Sequence, residues 1–498
     1  MRNPRYHPFL FALYPIIFLY AQNMDEASLV DLLRPAIAVV LLTAIVFLVL
    51  KAVIRDTTKA AAVTSVGLVM FFAYGHAMEG FFEGRSILGI YVGRNLVLFP
   101  IWNCVFLAVI FLIIRSRRKL VDTTVFLNIA AVSLLAMSLL NIGAHQLHQG
   151  GSSRPSQRWQ KFVTREAAQA VLNVKKPLPD IYYLIVDEYA REDVLNEYFD
   201  HDNSAFLSYL RSKGFYVASK ATSNYHSTYN SLASSLNFGY LDKLTKSAGI
   251  ASANRNVMRE MNQRSRVSAI LQKAGYTFVF FASVWRTTNR NPYADVFKNN
   301  SKIELSEFDR TLISSSMLAV LGSRYTANRN SNLYVFDELE RMPGGRKPVF
   351  VFAHITVPHP PFVFDEEGNY PQQGKGLDTD QYIERYVDQL TYLNKRLQGI
   401  IESILSNSET PPIIIIQGDH GARYNRPALR KKGSELVLSP DAEGDQEKHV
   451  THAILNAYHF PNDGDKGLYD SISPVNTFRV LLNSYFGTDY RLLEDKSY

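Results

Sequence analysis

The spacing of apolar residues divides the chain into two parts. Before about residue 145, the apolar runs are long and almost free of charge; after it, short apolar runs alternate with mixed stretches. A helix needs about 20 apolar residues to cross a hydrocarbon core of about 30 Å. Four early runs approach that length and a fifth, at residues 8–20, is shorter; the four cover residues 35–54, 60–77, 96–114 and 124–142. This pattern predicts a transmembrane anchor of about five helices over residues 1–145.

Basic residues between the apolar runs predict how this anchor is oriented. Nine lie on one side and three on the other: Arg2, Arg5, Lys51, Arg55, Lys59, Arg115, Arg117, Arg118 and Lys119 against Arg34, Arg85 and Arg94. Short loops rich in Lys and Arg stay in the cytoplasm. No small-x-small cleavage site follows the first run, so we expect it to remain as a helix. The remainder of the chain is therefore predicted to lie outside the cytoplasm.

Residues 146–176 are polar and predict a linker with an amphipathic helix around residues 159–172. From residue 177 onward, short apolar runs alternate with stretches of helical character. The runs cover residues 181–186, 277–282, 348–353, 413–416 and 453–458. Such runs are typical of buried strands in an α/β domain. We therefore expect residues 177–498 to form a largely parallel sheet covered by helices.

Three of these runs lead into ionisable residues. The first precedes Asp187 and Glu188, the third precedes His354 and His359, and the fourth precedes Asp419 and His420. Taken singly, an Asp at such a position is usually a cap or turn former and a His is usually packed or exposed. Together they favour one site, because ligands of open α/β sheets gather at the carboxyl ends of strands. Carboxylates with imidazoles suit Zn²⁺ or Mn²⁺.

A segment rich in hydroxyl groups, residues 223–237, leads into a predicted helix. Ser227 or Thr228 at the start of that helix could be only an N-cap. The same position suits a nucleophile, because a metal lowers the pKa of a hydroxyl and free helix N–H groups attract phosphate. The spacing does not decide between these interpretations.

Composition narrows the choice of function. The net charge is +7, but nine of the basic residues flank the apolar runs, where the membrane accounts for them. We therefore predict no nucleic-acid partner. Cys104 is the single cysteine and lies in an apolar run, which excludes a disulfide framework and a cysteine-rich metal site.

Four motifs, in this order along the chain, resemble the alkaline phosphatase and sulfatase superfamily. The similarity is to its membrane-anchored bacterial branch, which includes lipoteichoic acid synthase and the lipid A phosphoethanolamine transferases. The motifs are Pro-Asp-Ile-Tyr-Tyr-Leu-Ile-Val-Asp at 179–187, His-Ile-Thr-Val-Pro-His-Pro-Pro at 354–361, Gln-Gly-Asp-His-Gly at 417–421 and Ser-Pro-Val-Asn-Thr-Phe-Arg at 473–479. The resemblance covers residues 177–498 and the five-helix plan.

The resemblance implies roles for particular residues. It implies one divalent ion, Zn²⁺ or Mn²⁺ with Mg²⁺ as a further option, held by Asp187, Thr228, Asp419 and His420, with Glu188 as a neighbouring candidate ligand. Thr228 would be the nucleophile, with Ser227 as the fallback. His359 would bind the phosphate or protonate the leaving oxygen. His354 is a further candidate substrate ligand. His449 and His452 could hold a second metal or the substrate phosphate, and could equally belong to a solvated loop.

The resemblance implies a bacterial cytoplasmic-membrane enzyme with its catalytic domain on the periplasmic or extracellular side. It would move a phosphoethanolamine or phosphoglycerol-type group from a membrane phospholipid to an envelope glycan or lipid through a phosphothreonine. Sulfate ester hydrolysis is not expected, because residues 227–231 lack the Pro and Arg of the sulfatase motif. The alternatives are a phosphatase or phosphodiesterase on the same fold, and a non-catalytic membrane assembly protein.

Overall fold

The computed structural model describes residues 4–24, 29–78, 86–87, 90–91, 95–117, 120–148, 155–173, 177–250, 255–285, 287–300, 307–320, 324–342, 347–371, 379–422 and 448–498. The chain forms two compact units. The helical unit consists of Met1–Ser152 and Ile303–Ser323, and the α/β unit consists of Ser153–Lys302 and Arg324–Tyr498. Parts of the expected linker, residues 149–154 and 174–176, lie outside the described residues.

Five apolar helices dominate the helical unit: α1 (His7–Gln22), α2 (Leu29–Ile54), α3 (Thr57–Ala77), α4 (Asn95–Arg115) and α5 (Val121–His148). Two short strands, β1 (Ser86–Ile87) and β2 (Ile90–Tyr91), pair antiparallel between α3 and α4. Helices α2 to α5 are long and apolar enough to cross a membrane, whereas α1 has 16 residues. The four long helices and the shorter α1 match the five apolar runs of the sequence.

Solvation of the long helices explains their composition. Only 6% of the most apolar window of α2 is buried, and the same holds for α4. An apolar helix with so little protein around it needs an apolar solvent. Helix α1 packs against α2, α3 and α5 and therefore lies among the others.

A segment far along the chain also belongs to the helical unit. Helix α13 (Glu307–Ser315) places Phe308 and Leu312 in a buried cluster with Ile16, Tyr20 and Phe72 of α1 and α3. A 3₁₀ turn, Met317–Val320, follows it. Residues 177–498 therefore do not all fall within the α/β unit.

The α/β unit is built on a seven-stranded sheet in the order β4-β9-β8-β3-β7-β5-β6. Its strands are β3 (Ile181–Val186), β4 (Tyr216–Val217), β5 (Thr277–Phe281), β6 (Val296–Lys298), β7 (Val349–Ile355), β8 (Ile413–Gly418) and β9 (Asn456–His459). Strands β8, β3, β7, β5 and β6 run parallel, and β9 runs antiparallel to both of its neighbours. The expected largely parallel sheet is confirmed.

Helices cover this sheet. They are α6 (Pro155–Gln169), α7 (Glu192–Phe199), α8 (Ser204–Ser212), α9 (Thr228–Ser235), α10 (Leu241–Ser247), α11 (Arg255–Gln263), α12 (Arg266–Lys273), α14 (Arg324–Glu340), α15 (Thr379–Asn407), a short α16 at 448–452, and α17 (Pro474–Phe486). A 3₁₀ turn, Gly464–Gly467, precedes α17. The six residues of β3 are all buried, because both faces of the sheet pack against apolar clusters.

Candidate metal centre

The ends of β8, β3 and β7 place the candidate ligands at one edge of the sheet. Val186, the last residue of β3, pairs with Ile355 of β7 on one side and with Gly418 of β8 on the other. Asp187 and Glu188 follow β3, and Asp419 and His420 follow β8. Since the three strands are adjacent and parallel, their carboxyl ends bring these side chains together, as the sequence predicted.

Asp187, Asp419 and His420 form the core of the site, and each has a donor atom within 4.8 Å of the others. The Nε2 atom of His420 lies 3.6 Å from Oδ1 of Asp187 and 3.6 Å from Oδ2 of Asp419. His354, from β7, has its Nε2 atom 3.5 Å from Oδ2 of Asp187. All four side chains are buried. The structure thus groups His354, expected among substrate ligands, with the carboxylates.

Several of these buried atoms have no hydrogen-bond partner among the described residues: both carboxylate oxygens of Asp187, Oδ2 of Asp419, and Nε2 of His354 and of His420. A buried carboxylate without a partner is unfavourable by several kcal/mol. A divalent cation would satisfy these oxygen and nitrogen atoms together. Two carboxylates with imidazoles suit Zn²⁺ or Mn²⁺, so the residues fit the expected metal.

The electrostatics of the metal-free site are those of a coupled cluster. Burial alone would raise the pKa of Asp187, but His359, His354 and His420 outweigh it and hold that pKa below its ordinary value. Burial alone would lower the pKa of His420, but Asp419 and Asp187 raise it above the ordinary histidine value. Asp187 is therefore ionised and ready to bind a cation, whereas His420 must first lose a proton.

Hydrogen bonds at Nδ1 orient the histidines toward the carboxylates. The Nδ1 atom of His420 lies 2.9 Å from the backbone oxygen of Gly421, and that of His354 lies 2.7 Å from Oγ1 of Thr288. His359 bonds through Nδ1 to the oxygen of Pro360. A carbonyl oxygen can only accept, so Nδ1 of His420 and of His359 carries the proton. In the neutral ring, the Nε2 atom is then free to bind a cation or a substrate.

Glu188 occupies an unusual backbone conformation. Its φ angle is +64°, which a residue with a side chain adopts at a cost of about 1–3 kcal/mol. Its backbone N–H donates to Oδ1 of Asp419 at 3.1 Å, and its backbone oxygen accepts from the hydroxyl of Tyr386 at 2.7 Å. Its Oε2 atom lies 3.5 Å from Nε2 of His359. Glu188 therefore links His359 to the Asp419 side of the site.

Thr228, the predicted nucleophile, is the first residue of α9, and Ser227 is the N-cap residue without a side-chain capping bond. The segment before α9 and the residue after His420 both donate backbone hydrogen bonds to α16. Ser223 donates its N–H to the oxygen of His452 at 2.7 Å, and Gly421 donates its own to the oxygen of Thr451 at 2.8 Å. The roles of Thr228 as nucleophile and of Ser227 as its fallback stay predictions.

His449 and His452 lie on α16 and make other contacts. The Nε2 atom of His449 lies 3.2 Å from a carboxylate oxygen of Asp193. Nε2 of His452 lies 3.2 Å from the oxygen of Tyr498 and can donate to it, while Nδ1 lies 3.0 Å from Oγ1 of Thr451, from which the neutral ring can accept, and 2.9 Å from the oxygen of Lys448. Burial lowers the pKa of His452, which favours its neutral form. Neither residue belongs to the group of Asp187, Asp419 and His420, whose donor atoms lie within 4.8 Å of one another.

Sequence reasoning missed the residues that support this site. Tyr386 lies on α15, and Thr288 and Trp285 lie in the loop that follows β5. Each reaches the site only through tertiary packing, so no spacing along the chain marks them. The one available signal was the position of the loop after a predicted strand, where site residues of α/β sheets gather.

The structure is thus an apolar helical unit joined to an α/β unit with a candidate metal centre at its strand ends. No family model matches the sequence, and no curated protein does. Some solved structures are similar to this chain at low identity. The full-length lipooligosaccharide phosphoethanolamine transferase A of Neisseria meningitidis is 12% identical, with 96% of this chain and 95% of that chain covered and a TM-score of 0.41.

Two further structures cover the α/β region. The C-terminal periplasmic domain of EcEptC from Escherichia coli, in complex with Zn, is 13% identical, covers 64% of this chain and 85% of its own, and gives a TM-score of 0.42. A putative sulfatase, yidJ, from Bacteroides fragilis is 15% identical, covers 63% of this chain and 75% of its own, and gives a TM-score of 0.35. These are the groups that the sequence motifs resemble. At such scores the likeness establishes no shared function.

Proposed function

We propose that this protein is a metal-dependent transferase that moves a phosphoryl head group from a membrane phospholipid to an envelope glycan or lipid. The head group would be of the phosphoethanolamine or phosphoglycerol type. The observation that carries the proposal is the buried donor set of Asp187, Asp419 and His420, whose inward atoms have no hydrogen-bond partner among the described residues. That set would hold a divalent cation, with His354 and Glu188 beside it.

A bound Zn²⁺ or Mn²⁺ would lower the pKa of a nearby hydroxyl and neutralise charge on a phosphate. The remaining chemistry falls to residues of the chain. Oγ1 of Thr228 would lose its proton to solvent and attack the donor phosphorus, so that a Thr228–phosphorus ester bond forms and the bond to the diacylglycerol oxygen breaks. Protonated Nε2 of His359 would give its proton to that leaving oxygen.

The second half of the reaction would reverse these roles. An acceptor hydroxyl on a glycan or lipid would lose its proton to Nε2 of His359 and attack the phosphothreonine. The bond to Oγ1 of Thr228 then breaks, and the threonine regains a proton from solvent, while His359 keeps the proton it needs for the next turnover. Since Nδ1 of His359 is bonded to the oxygen of Pro360, the same Nε2 atom serves both steps. The start of α9 suits this chemistry, because the N–H groups of a helix's first turn attract phosphate oxygens and Ser227 makes no side-chain capping bond there.

The apolar helices support a lipid donor. A phospholipid remains in the bilayer, and an enzyme with four long apolar helices remains there with it. The nine-to-three distribution of basic residues favours an α/β unit on the periplasmic or extracellular side, where envelope glycans and lipids are found. We therefore propose a bacterial cytoplasmic membrane as its location.

The test uses the full-length protein in detergent with a phospholipid labelled in its head group. The wild type should release diacylglycerol and retain acid-stable label on Thr228, to be located by peptide mass. Thr228→Ala should lose turnover by at least about a thousandfold, while Ser227→Ala serves as the matched control and keeps it. Full turnover by Thr228→Ala would refute the nucleophile, and loss only in Ser227→Ala would transfer the role to Ser227.

The same assay separates the alternatives. A hydrolase would release the head group at a rate that does not depend on a glycan or lipid acceptor. A non-catalytic protein would show neither release nor bound metal. A transferase requires label to appear on the added acceptor, and its absence over many turnovers would refute our proposal.

A further inference from the structure

The three tryptophans differ in how their indole N–H groups are bonded. Nε1 of Trp102 donates to the oxygen of Met70 at 3.0 Å, and Nε1 of Trp159 donates to the oxygen of Arg264 at 2.9 Å. Nε1 of Trp285 is shielded from solvent and has no hydrogen-bond partner among the described residues. Buried indole N–H groups usually find a partner, and leaving one without costs about 1–3 kcal/mol.

Trp285 lies beside the candidate metal centre. Its ring packs against that of His359 with the centroids 5.0 Å apart and the planes at 90°. His359 in turn has its Nε2 atom 3.5 Å from Glu188. The unsatisfied donor is therefore next to the imidazole that is proposed to exchange protons with the substrate.

Hydrogen bonds fix the loop that carries Trp285. Its backbone N–H donates to Oγ of Ser283 at 3.0 Å, and Oγ of Ser283 lies 2.7 Å from Oγ1 of Thr288. Thr288 is the residue that holds Nδ1 of His354. The loop thus contacts both histidines of the β7 segment, and Trp285 is held in place relative to them.

The same loop is tied to the helix that Thr228 begins. Nδ2 of Asn262 donates to Oγ1 of Thr287 at 2.7 Å and to the backbone oxygen of Tyr229 at 3.3 Å. Tyr229 is the second residue of α9. The loop that carries Trp285 and the helix that begins at Thr228 are therefore joined through a single asparagine.

We propose that Trp285 binds the substrate, and that its indole N–H donates to an oxygen of the phosphodiester group. This inference rests on the proposed function. An indole N–H only donates, so its ligand must offer an acceptor. The ammonium of an ethanolamine head group offers no acceptor, whereas each phosphodiester has two non-bridging oxygens that share one negative charge. Substrate binding would satisfy a buried donor that has no hydrogen-bond partner among the described residues.

The experiment replaces Trp285 by Phe, which keeps an aromatic ring against His359 and removes only the N–H. The probe is glycerophosphoethanolamine, a soluble phosphodiester, and its binding to the full-length, metal-loaded protein is measured by calorimetry. The dissociation constant should rise about tenfold, as for the loss of one hydrogen bond to a charged group. The KM for labelled phospholipid should rise similarly, while thermal stability is unchanged or higher.

Trp159→Phe is the matched control. Its N–H is bonded to Arg264, so its loss should lower thermal stability and leave both binding constants unchanged. An unaltered dissociation constant in Trp285→Phe would overturn the inference. A shifted pH profile of turnover with unaltered binding would also overturn it, because Trp285 would then act on the orientation of His359. If the wild type binds the probe but transfers nothing, the proposed function fails separately.

Discussion

Replacing Tyr386 by Phe should destabilise the α/β unit and weaken metal binding at once. The hydroxyl of Tyr386 donates to the backbone oxygen of Glu188 at 2.7 Å and accepts from the N–H of Ala190 at 3.2 Å. The side chain is fully buried. One hydroxyl therefore satisfies two buried backbone groups on either side of Tyr189, in the turn that leads out of the metal centre.

The magnitude follows from the groups left unpaired. Each buried backbone group without a partner costs about 1–3 kcal/mol, so the two together should cost about 2–6 kcal/mol. Glu188 has a φ angle of +64°, and the variant loses the hydrogen bond from Tyr386 that helps to hold this conformation. Its N–H would then no longer be fixed on Asp419. Loss of such support for a ligand typically weakens metal binding about 10- to 100-fold.

The assay compares full-length Tyr386→Phe with Tyr276→Phe. The hydroxyl of Tyr276 donates to one backbone oxygen, that of Pro179 at 2.8 Å, just before β3 and thus at the opposite end of that strand from the metal centre. Denaturant unfolding gives the stability, and competition with a chelator gives the metal affinity. Tyr276→Phe should lose about 1–2 kcal/mol with normal affinity. Equal affinity in the two variants would refute the proposed support of Glu188.

Two further outcomes are expected at the metal centre. The pKa of His420 lies above the ordinary value of 6.5, and metal binding requires the neutral ring. As the pH is lowered, metal affinity should therefore begin to fall above pH 6.5, by about tenfold per pH unit. Asp187 stays ionised in this range, because its pKa is lowered. Affinity that is flat across about pH 5–8 would contradict this. Gly421→Ala places a Cβ in clashing contact with the backbone oxygen of Val450 and should remove bound metal, measured by elemental analysis, whereas Gly143→Ala, with nothing within 4 Å, should not.

The strands that carry the ligands could be predicted because their signal is local. Residues 181–186 were predicted as a strand and form β3 with those bounds, since six consecutive apolar residues ending at an acidic pair suit only a buried strand or a short core helix. The predicted run at 413–416 extends to Gly418 in β8. The ligands could be grouped because parallel neighbours end at one edge.

Direction and packing could not be predicted in this way. The run at 453–458 is as apolar as the others, but β9 occupies Asn456–His459 and runs antiparallel. The apolar pattern of a strand is the same whether the strand runs parallel or antiparallel to its neighbours. Helix α13 is another example, because Phe308 and Leu312 suit the surface of either unit and only the three-dimensional contacts assign them to the helical one.

The conformation of Glu188 explains how two consecutive acidic residues can serve one site. Successive side chains of an extended strand point to opposite faces, so continued extension past Asp187 would turn Glu188 away. The positive φ angle of Glu188 breaks that alternation. Asp187 then faces His354 and His420, while Glu188 faces His359. Both carboxylates therefore face imidazoles of one site, and the strain at Glu188 is the cost of that arrangement, offset by the hydrogen bond from the hydroxyl of Tyr386.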